Sequence, residues 1–122
     1  MEMPMTRKSV AEFKEERQAL NEILLKSKHK YIQRFFNVDH GVYQDAALPA
    51  KTKEMLGLVA STVLRCDDCI TYHMVQCVEQ GVTDDEFDEI FAVALVVGGS
   101  ITIPHLRRAA GTLAELRSAP TS

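Results

Sequence analysis

Cys66-Asp67-Asp68-Cys69-Ile70-Thr71-Tyr72-His73 places two thiols three residues apart and an imidazole four residues further on. Positions i, i+3 and i+4 are neighbours on a helix surface, so a helical reading sets Cys66, Cys69 and His73 along one face. No other eight residues of the chain combine a nucleophile with a base at a usable spacing. Cys66 or Asp67 is placed to begin a helix that runs through Met74, Val75 and Val78 to Gln80. Gly81 stops it, as a residue free to adopt αL does at a helix C-terminus. Before Cys66, Met55, Leu56, Val59 and Val63 form the apolar stripe of another helix, opened by Leu48-Pro49 with proline at a first-turn position. Two helices joined at this point form an antiparallel hairpin, and a turn near Val63 or Leu64 sets Glu54 beside His73.

Further out the pattern stays helical. Ser9 with Glu12 reads as a capping box, followed by Phe13, Leu20, Ile23 and Leu24 at helical spacing among many charges. Lys30 to Val38 carries Tyr31, Ile32, Phe35 and Phe36 as a shorter helix, broken by Asn37-Val38-Asp39-His40-Gly41. Thr83 with Glu86 makes a second capping box, and Asp84 and Asp85 suit the positive end of the helix dipole. Phe87, Ile90, Phe91, Ala94 and Leu95 give the buried face of the helix that follows. Its late turns, Val93 to Val97, are apolar all round, wider than a lone small bundle needs, which points to a partner surface. Gly98-Gly99-Ser100 ends it, a last helix runs from about Ile101 or Thr102 to Arg117, and Pro120 closes the chain. No segment shows sustained strict alternation. The expected fold is all-α, about six helices in one domain over residues 1–122, with the cysteine pair at the start of a central helix.

Composition narrows the function classes. The 122 residues suit one domain, and 46% hydrophobic with 25% charged residues is ordinary for a globular protein. A net charge of −3 supplies no basic stripe for nucleic acid. The longest apolar run, Ile90 to Val97, falls far short of the roughly 20 residues that span a bilayer. Met1 to Lys8 has no apolar core of a secretory signal. Three cysteines, an odd number, do not form a disulfide framework, so a reducing cytoplasm is expected, where Cys-x-x-Cys is redox-active or metal-binding.

A helix N-terminus lowers a thiol pKa, because its unpaired N–H groups and dipole favour negative charge. Cys69 and His73, one turn apart, can share a proton. Asp67 and Asp68 oppose thiolate formation where they lie close. A carboxylate from Glu54 against His73 raises the basicity of the imidazole. Zinc is the competing use of Cys66, Cys69, His73 and Cys77. On one helix, however, Cys66 and Cys77 stand about 16 Å apart at 1.5 Å per residue. Zinc–sulfur bonds are about 2.3 Å, so the four cannot share an ion, and neither metal nor cofactor is expected. Cys77 reads as a small core residue, Tyr72 as a packing residue off the His73 face, and His40 as a turn residue. His105 reads as an interface or core histidine, and Arg107 and Arg108 as surface or interface charges.

Glu54, then eleven residues, then Cys66-x-x-Cys69-x-x-x-His73 resembles the active-site pattern of AhpD-like alkylhydroperoxidases, within the carboxymuconolactone decarboxylase superfamily. The similarity extends through Leu48-Pro49-Ala50-Lys51 before it and Gly98-Gly99 with Pro104 after it, covering roughly residues 30 to 115. The resemblance implies a compact all-α fold assembled into homo-oligomers, trimers or hexamers, and a dithiol peroxidase activity. By carry-over, Cys69 is the peroxidatic and Cys66 the resolving cysteine, with Glu54 and His73 as proton relay. An external lipoyl- or thioredoxin-type dithiol would then reduce the disulfide. Some members carry a histidine between the cysteines where this chain has Asp68. Two alternatives accompany this reading: a lactone decarboxylase of the same superfamily, and a non-enzymatic, redox-responsive oligomeric binding module.

Overall fold

The structure, a computed structural model, describes residues 7–118. The readings made at Met1 to Thr6 and at Pro120 lie outside them. The described residues form six α-helices: α1 (Val10–Leu25), α2 (Lys30–Val42), α3 (Ala50–Val63), α4 (Asp67–Glu79), α5 (Asp84–Gly98) and α6 (Ile103–Ser118). A single 3-10 turn, Ser100–Thr102, leads into α6, and no strand occurs among the described residues. No helix among them is long and apolar enough to cross a membrane.

Local chemistry sets the boundaries. At α5, Thr83 Oγ1 accepts from the Glu86 N–H and Glu86 Oε1 accepts from the Thr83 N–H, the full reciprocal box. At α1 the box is half made. Ser9 Oγ accepts from the Glu12 N–H, but the Glu12 carboxylate takes the serine hydroxyl instead of the backbone. Pro49 stands one position earlier than expected, as the N-cap of α3, and the Ala50 N–H donates to Asp45 Oδ1 at 2.6 Å. The expected break at Asn37 to Gly41 is not there: α2 continues to Val42. Such residues weaken a helix interior by at most about 1 kcal/mol each, which does not force a break. The helix ends where Lys53 Nζ takes the carbonyls of Val42 and Gln44, both at 2.7 Å.

The α3–α4 hairpin is the centre of the fold, with α5 packed on α3 and α6 on α4. Leu58, Ile70, Met74, Cys77, Phe87 and Ile90 meet in the core between them. Each large side chain removed from water here contributes about 1.5–3 kcal/mol. Helix α1 is held against α6 by Glu115, whose carboxylate takes the Arg7 guanidinium at 2.8 Å and the Val10 N–H at 2.7 Å. Helix α2 buries no residue. Phe35 (71% exposed), Tyr31 and Val38 on α2, and Val96 (85%) and Val97 on α5, stand open. The apolar late turns of α5, Ala94 apart, are therefore uncovered within one chain.

Candidate active site

Helix α3 ends in a Schellman motif: the Cys66 N–H donates to the Ser61 carbonyl and the Arg65 N–H to the Thr62 carbonyl. Arg65 takes the left-handed position, φ 61°, that Gly81 (φ 83°) fills in the matching motif after α4. This turn delivers Cys66 to the N-cap of α4, where its Sγ accepts from the Cys69 N–H at 3.3 Å. Both sulfurs thus lie within the first turn, where orphan N–H groups and the dipole favour negative charge. Cys66 and Cys69 are joined as a disulfide, with Cα atoms 5.3 Å apart. Cys66 is half-buried and Cys69 is exposed.

One turn on, His73 is buried, and its Nδ1 lies 2.7 Å from Oε2 of Glu54, which is itself only 4% exposed. A carboxylate only accepts, so Nδ1 carries the hydrogen and Nε2 is the basic nitrogen of the neutral ring. The hairpin brings Glu54 and His73 together as its turn position requires. Glu54 is not the solvated helix glutamate that its sequence neighbours alone suggest. Gly57, one turn after Glu54, makes room for the ring. A Cβ there would stand 2.7 Å from His73 Cε1, and 2.9 Å from both His73 Nε2 and the Tyr43 hydroxyl.

The imidazole is flanked by two phenols, Tyr43 at 5.3 Å and Tyr72 edge-on at 5.4 Å between ring centroids. Burial pushes both tyrosine hydroxyls above their ordinary pKa, and the Glu54 carboxylate adds to it. Tyr72 does more than the expected packing. With Phe13 and Leu20 of α1 it walls a cavity of about 350 Å³ onto which Asp68, Cys69 and His73 open. The Arg17 guanidinium covers its ring at 4.4 Å. Helix α1 folding across this side is the reason, and nothing local to Tyr72 signals it.

Asp67 is held from α6. Asp67 Oδ1 lies 2.8 Å from His105 Nδ1, and Oδ2 lies 3.2 Å from Arg108 Nη2. Asp68 shares the cavity with Lys8, whose amine is held above its ordinary pKa, chiefly by Glu16 and in lesser part by Asp68. His105 is therefore a tie between α6 and the start of α4. His40 is exposed beside Gln44, away from this cluster. Cys77 is fully buried in the core, and burial pushes its thiol up to about 12. Tyr43, Gly57 and Asp39, which also lines the cavity, were not among the sequence candidates. Only Gly57 carried a signal, an isolated glycine in a helix interior, which marks a close approach.

A helical bundle with a dithiol at a helix start and a buried Glu–His pair one turn away is a protein class that comparison can now define. Residues 30–111 match the Carboxymuconolactone decarboxylase family, and the chain belongs to that family. Two crystal structures of one Thermotoga maritima protein are similar to it, at 58% and 57% identity with TM-scores of 0.85 and 0.82. They cover 87% of this chain and 93% and 90% of theirs. That protein is described as a family member with a suggested involvement in antioxidative response. A Legionella pneumophila family protein, 21% identical with TM-score 0.79 over 87% of this chain and 95% of that one, shares the fold. Among curated proteins, an uncharacterized one of Cupriavidus necator is 31% identical over 65 residues, 53% of this chain and 58% of that protein. An uncharacterized protein of the cox locus of Paracoccus denitrificans is 26% identical over 85 residues, 70% of this chain and 77% of its own length.

Proposed function

We propose that the protein is a dithiol peroxidase of the alkylhydroperoxidase type. The observation that carries this reading is the buried Glu54–His73 contact of 2.7 Å, one helical turn beyond a cysteine pair at a helix N-terminus. In the reduced protein the Cys69 thiolate attacks the terminal oxygen of ROO–H, breaking the O–O bond. Cys69 becomes a sulfenic acid, and RO⁻ leaves with a proton to give ROH. His73, supported by Glu54, takes the thiol proton and returns it to the leaving oxygen, which is general acid–base catalysis. The Cys66 thiol then displaces the sulfenic hydroxyl as water, forming the Cys66–Cys69 disulfide. An external dithiol, lipoyl- or thioredoxin-type, closes the cycle by thiol–disulfide exchange in a reducing cytoplasm.

Apolar walls from Phe13, Leu20 and Tyr72 in a cavity of about 350 Å³ favour an organic hydroperoxide over hydrogen peroxide. Self-assembly into a trimer or hexamer belongs to the same proposal. A 13-residue helix such as α2, with no buried residue and Phe35, Tyr31 and Val38 exposed, is marginal in water without a surface to cover it. Sedimentation of the intact chain tests the assembly. The activity is tested by following cumene hydroperoxide consumption with dihydrolipoamide in wild type, Cys66→Ser and Cys69→Ser. Wild type should turn over and Cys69→Ser should be inert, while Cys66→Ser should give at most one equivalent. A wild type that consumes nothing, or variants that match it, ends the proposal. A lactone decarboxylase would leave all three variants equally active on its substrate and silent with peroxide.

A further inference from the structure

Helix α2 carries Tyr31, Arg34, Phe35, Val38 and Val42 at i, i+3, i+4, i+7 and i+11, one stripe about 16 Å long. Its four apolar members are exposed, while the half-buried Ile32 and Phe36 lie on another side of the helix. Between α3 and α5 runs a groove of about 490 Å³, lined by Met55, Leu56 and Val59 on one wall and Ile90 and Val93 on the other. The two helices run parallel. Lys51 at the start of α3 meets Glu86 at the start of α5 at 3.0 Å, and Gly98 at the end of α5 lies against Val63 at the end of α3. The α5 wall, continued to the exposed Val97, repeats the α2 spacing: Glu86, Glu89, Ile90, Val93 and Val97. Stripe and groove therefore match in length, and the groove is acidic at one end and apolar at the other. Lys51 is spent on Glu86, whereas Glu89 has no ion-pair partner among the described residues. Lys30 and Arg34, at the start of α2, rest over the Tyr31 ring and also lack a carboxylate partner among the described residues.

We propose that the α2 stripe of one copy docks in the α3–α5 groove of a second copy, running parallel to both helices. Lys30 and Arg34 then meet Glu89 at the charged end, and Val38 and Val42 lie toward Val93 and Val97 at the apolar end. The inference rests on the self-assembly proposed above and assigns the surfaces that make it. Two different surfaces meet, so the contact is heterologous and closes as a ring, such as a trimer. The docking also reaches the site. Helix α2 carries Asp39 to the wall of the dithiol cavity, and Tyr43 at its C-cap lies 5.3 Å from the His73 ring, so the copy that seats α2 fixes that side of the site.

The test uses two full-length chains that both lack the site thiols (Cys66→Ser with Cys69→Ser), one carrying Val38→Cys and the other Val93→Cys. Cys77 is buried and stays out of the reaction. The chains are co-expressed, mildly oxidised and weighed. The expected product is a disulfide-linked pair of one chain of each kind, with neither chain cross-linked when expressed alone. A Val38→Cys chain that links to itself would set α2 against α2 and overturn the proposal, as would the absence of any cross-link. Charge reversal gives a second measurement that adds no thiol. By sedimentation, Arg34→Glu and Glu89→Arg should each weaken assembly by about threefold to tenfold, and the two together in one chain should restore it. Failure of that rescue in a protein whose wild type assembles overturns the proposal too. A monomeric wild type ends the assembly reading and this inference together, whereas an assembled wild type with the wrong cross-link ends the inference alone.

Discussion

Replacing Glu54 by glutamine probes the candidate site with little change of shape. The native contact is 2.7 Å from Oε2 to His73 Nδ1, and both side chains are buried. A hydrogen bond to a charged group contributes about 1.5–3 kcal/mol, roughly twice a neutral one. Glutamine keeps a carbonyl that can accept from Nδ1–H, so Glu54→Gln loses the charge and not the acceptor. If that charge supports an imidazolium formed during turnover, about half of that contribution, roughly 0.7–1.5 kcal/mol of barrier, is at stake. At about 1.4 kcal/mol per decade, kcat/KM falls by roughly 3–12-fold. Stability should change by only about 1 kcal/mol, because no buried N–H is orphaned. Glu54→Leu does orphan it, and should cost a further 1–3 kcal/mol or so. The assay is peroxide disappearance with a dithiol reductant, alongside thermal melts and a double-mutant cycle with His73→Asn. The reasoning is refuted if Glu54→Gln stays within twofold of wild type while His73→Asn loses more than tenfold, or if the two losses simply multiply.

Further outcomes are expected at Gly57, at Cys77 and at the two left-handed turn positions. Gly57→Ala should lower stability by about 1–3 kcal/mol despite alanine's better helix propensity, because its Cβ meets the His73 ring and the Tyr43 hydroxyl at 2.7–2.9 Å, and thermal melts read this directly. Burial raises the Cys77 thiol from 9.0 to about 12, so iodoacetamide at pH 9 should add two groups to the reduced native protein and three after denaturation, counted by mass. The sign of the linkage follows from the same shift: the unfolded chain gives up that proton first, so stability is full below about pH 9 and falls as pH rises toward 12. Cys77→Ala should flatten that decline. Arg65→Gly relieves a left-handed residue at φ 61°, and should raise stability by about 0.5–1 kcal/mol after the added entropy of an unfolded glycine, whereas Gly81→Ala in the matching turn should lose about 1 kcal/mol or more.

The hairpin was legible because its two determinants are local. Apolar spacing marked α3 and α4, and a turn between them fixed which positions face each other, so Glu54 and His73 followed from counting. What helical spacing does not record is the surface that covers an apolar face. Phe35 on α2 and Val96 in the apolar late turns of α5 are both exposed in this chain. The same blindness hid the role of Tyr72. A step of about 100° per residue turns Tyr72 off the His73 face, yet the two rings meet at 5.4 Å and line one cavity, whose far wall belongs to α1, more than forty residues earlier in the chain. Asn37, Asp39 and Gly41, weak helix formers, suggest a break because propensity alone does not include the Lys53 clamp that sets where α2 ends.

Electrostatics at the cysteines makes the sharpest case. Asp67 and Asp68 beside two thiols read as an obstacle to a thiolate where they lie close. The counter-charge comes from elsewhere: Arg108 on α6 takes Asp67, with His105 Nδ1, 38 residues away, at the same carboxylate. Lys8, before α1, shares the cavity with Asp68. A carboxylate whose charge is matched within about 3 Å exerts little net field one turn away, while at N1 and N2 it still complements the dipole that holds the helix end together. The acidic pair can thus steady the first turn of α4 without cancelling what that turn offers a thiolate. A chain carrying Arg108→Gln, which removes the cation and leaves Asp67, should therefore show slower alkylation of reduced Cys69 at pH 7, and Asp67→Asn on that background should restore the rate. Equal rates in all three chains would mean that Asp67 does not act on the thiols at all.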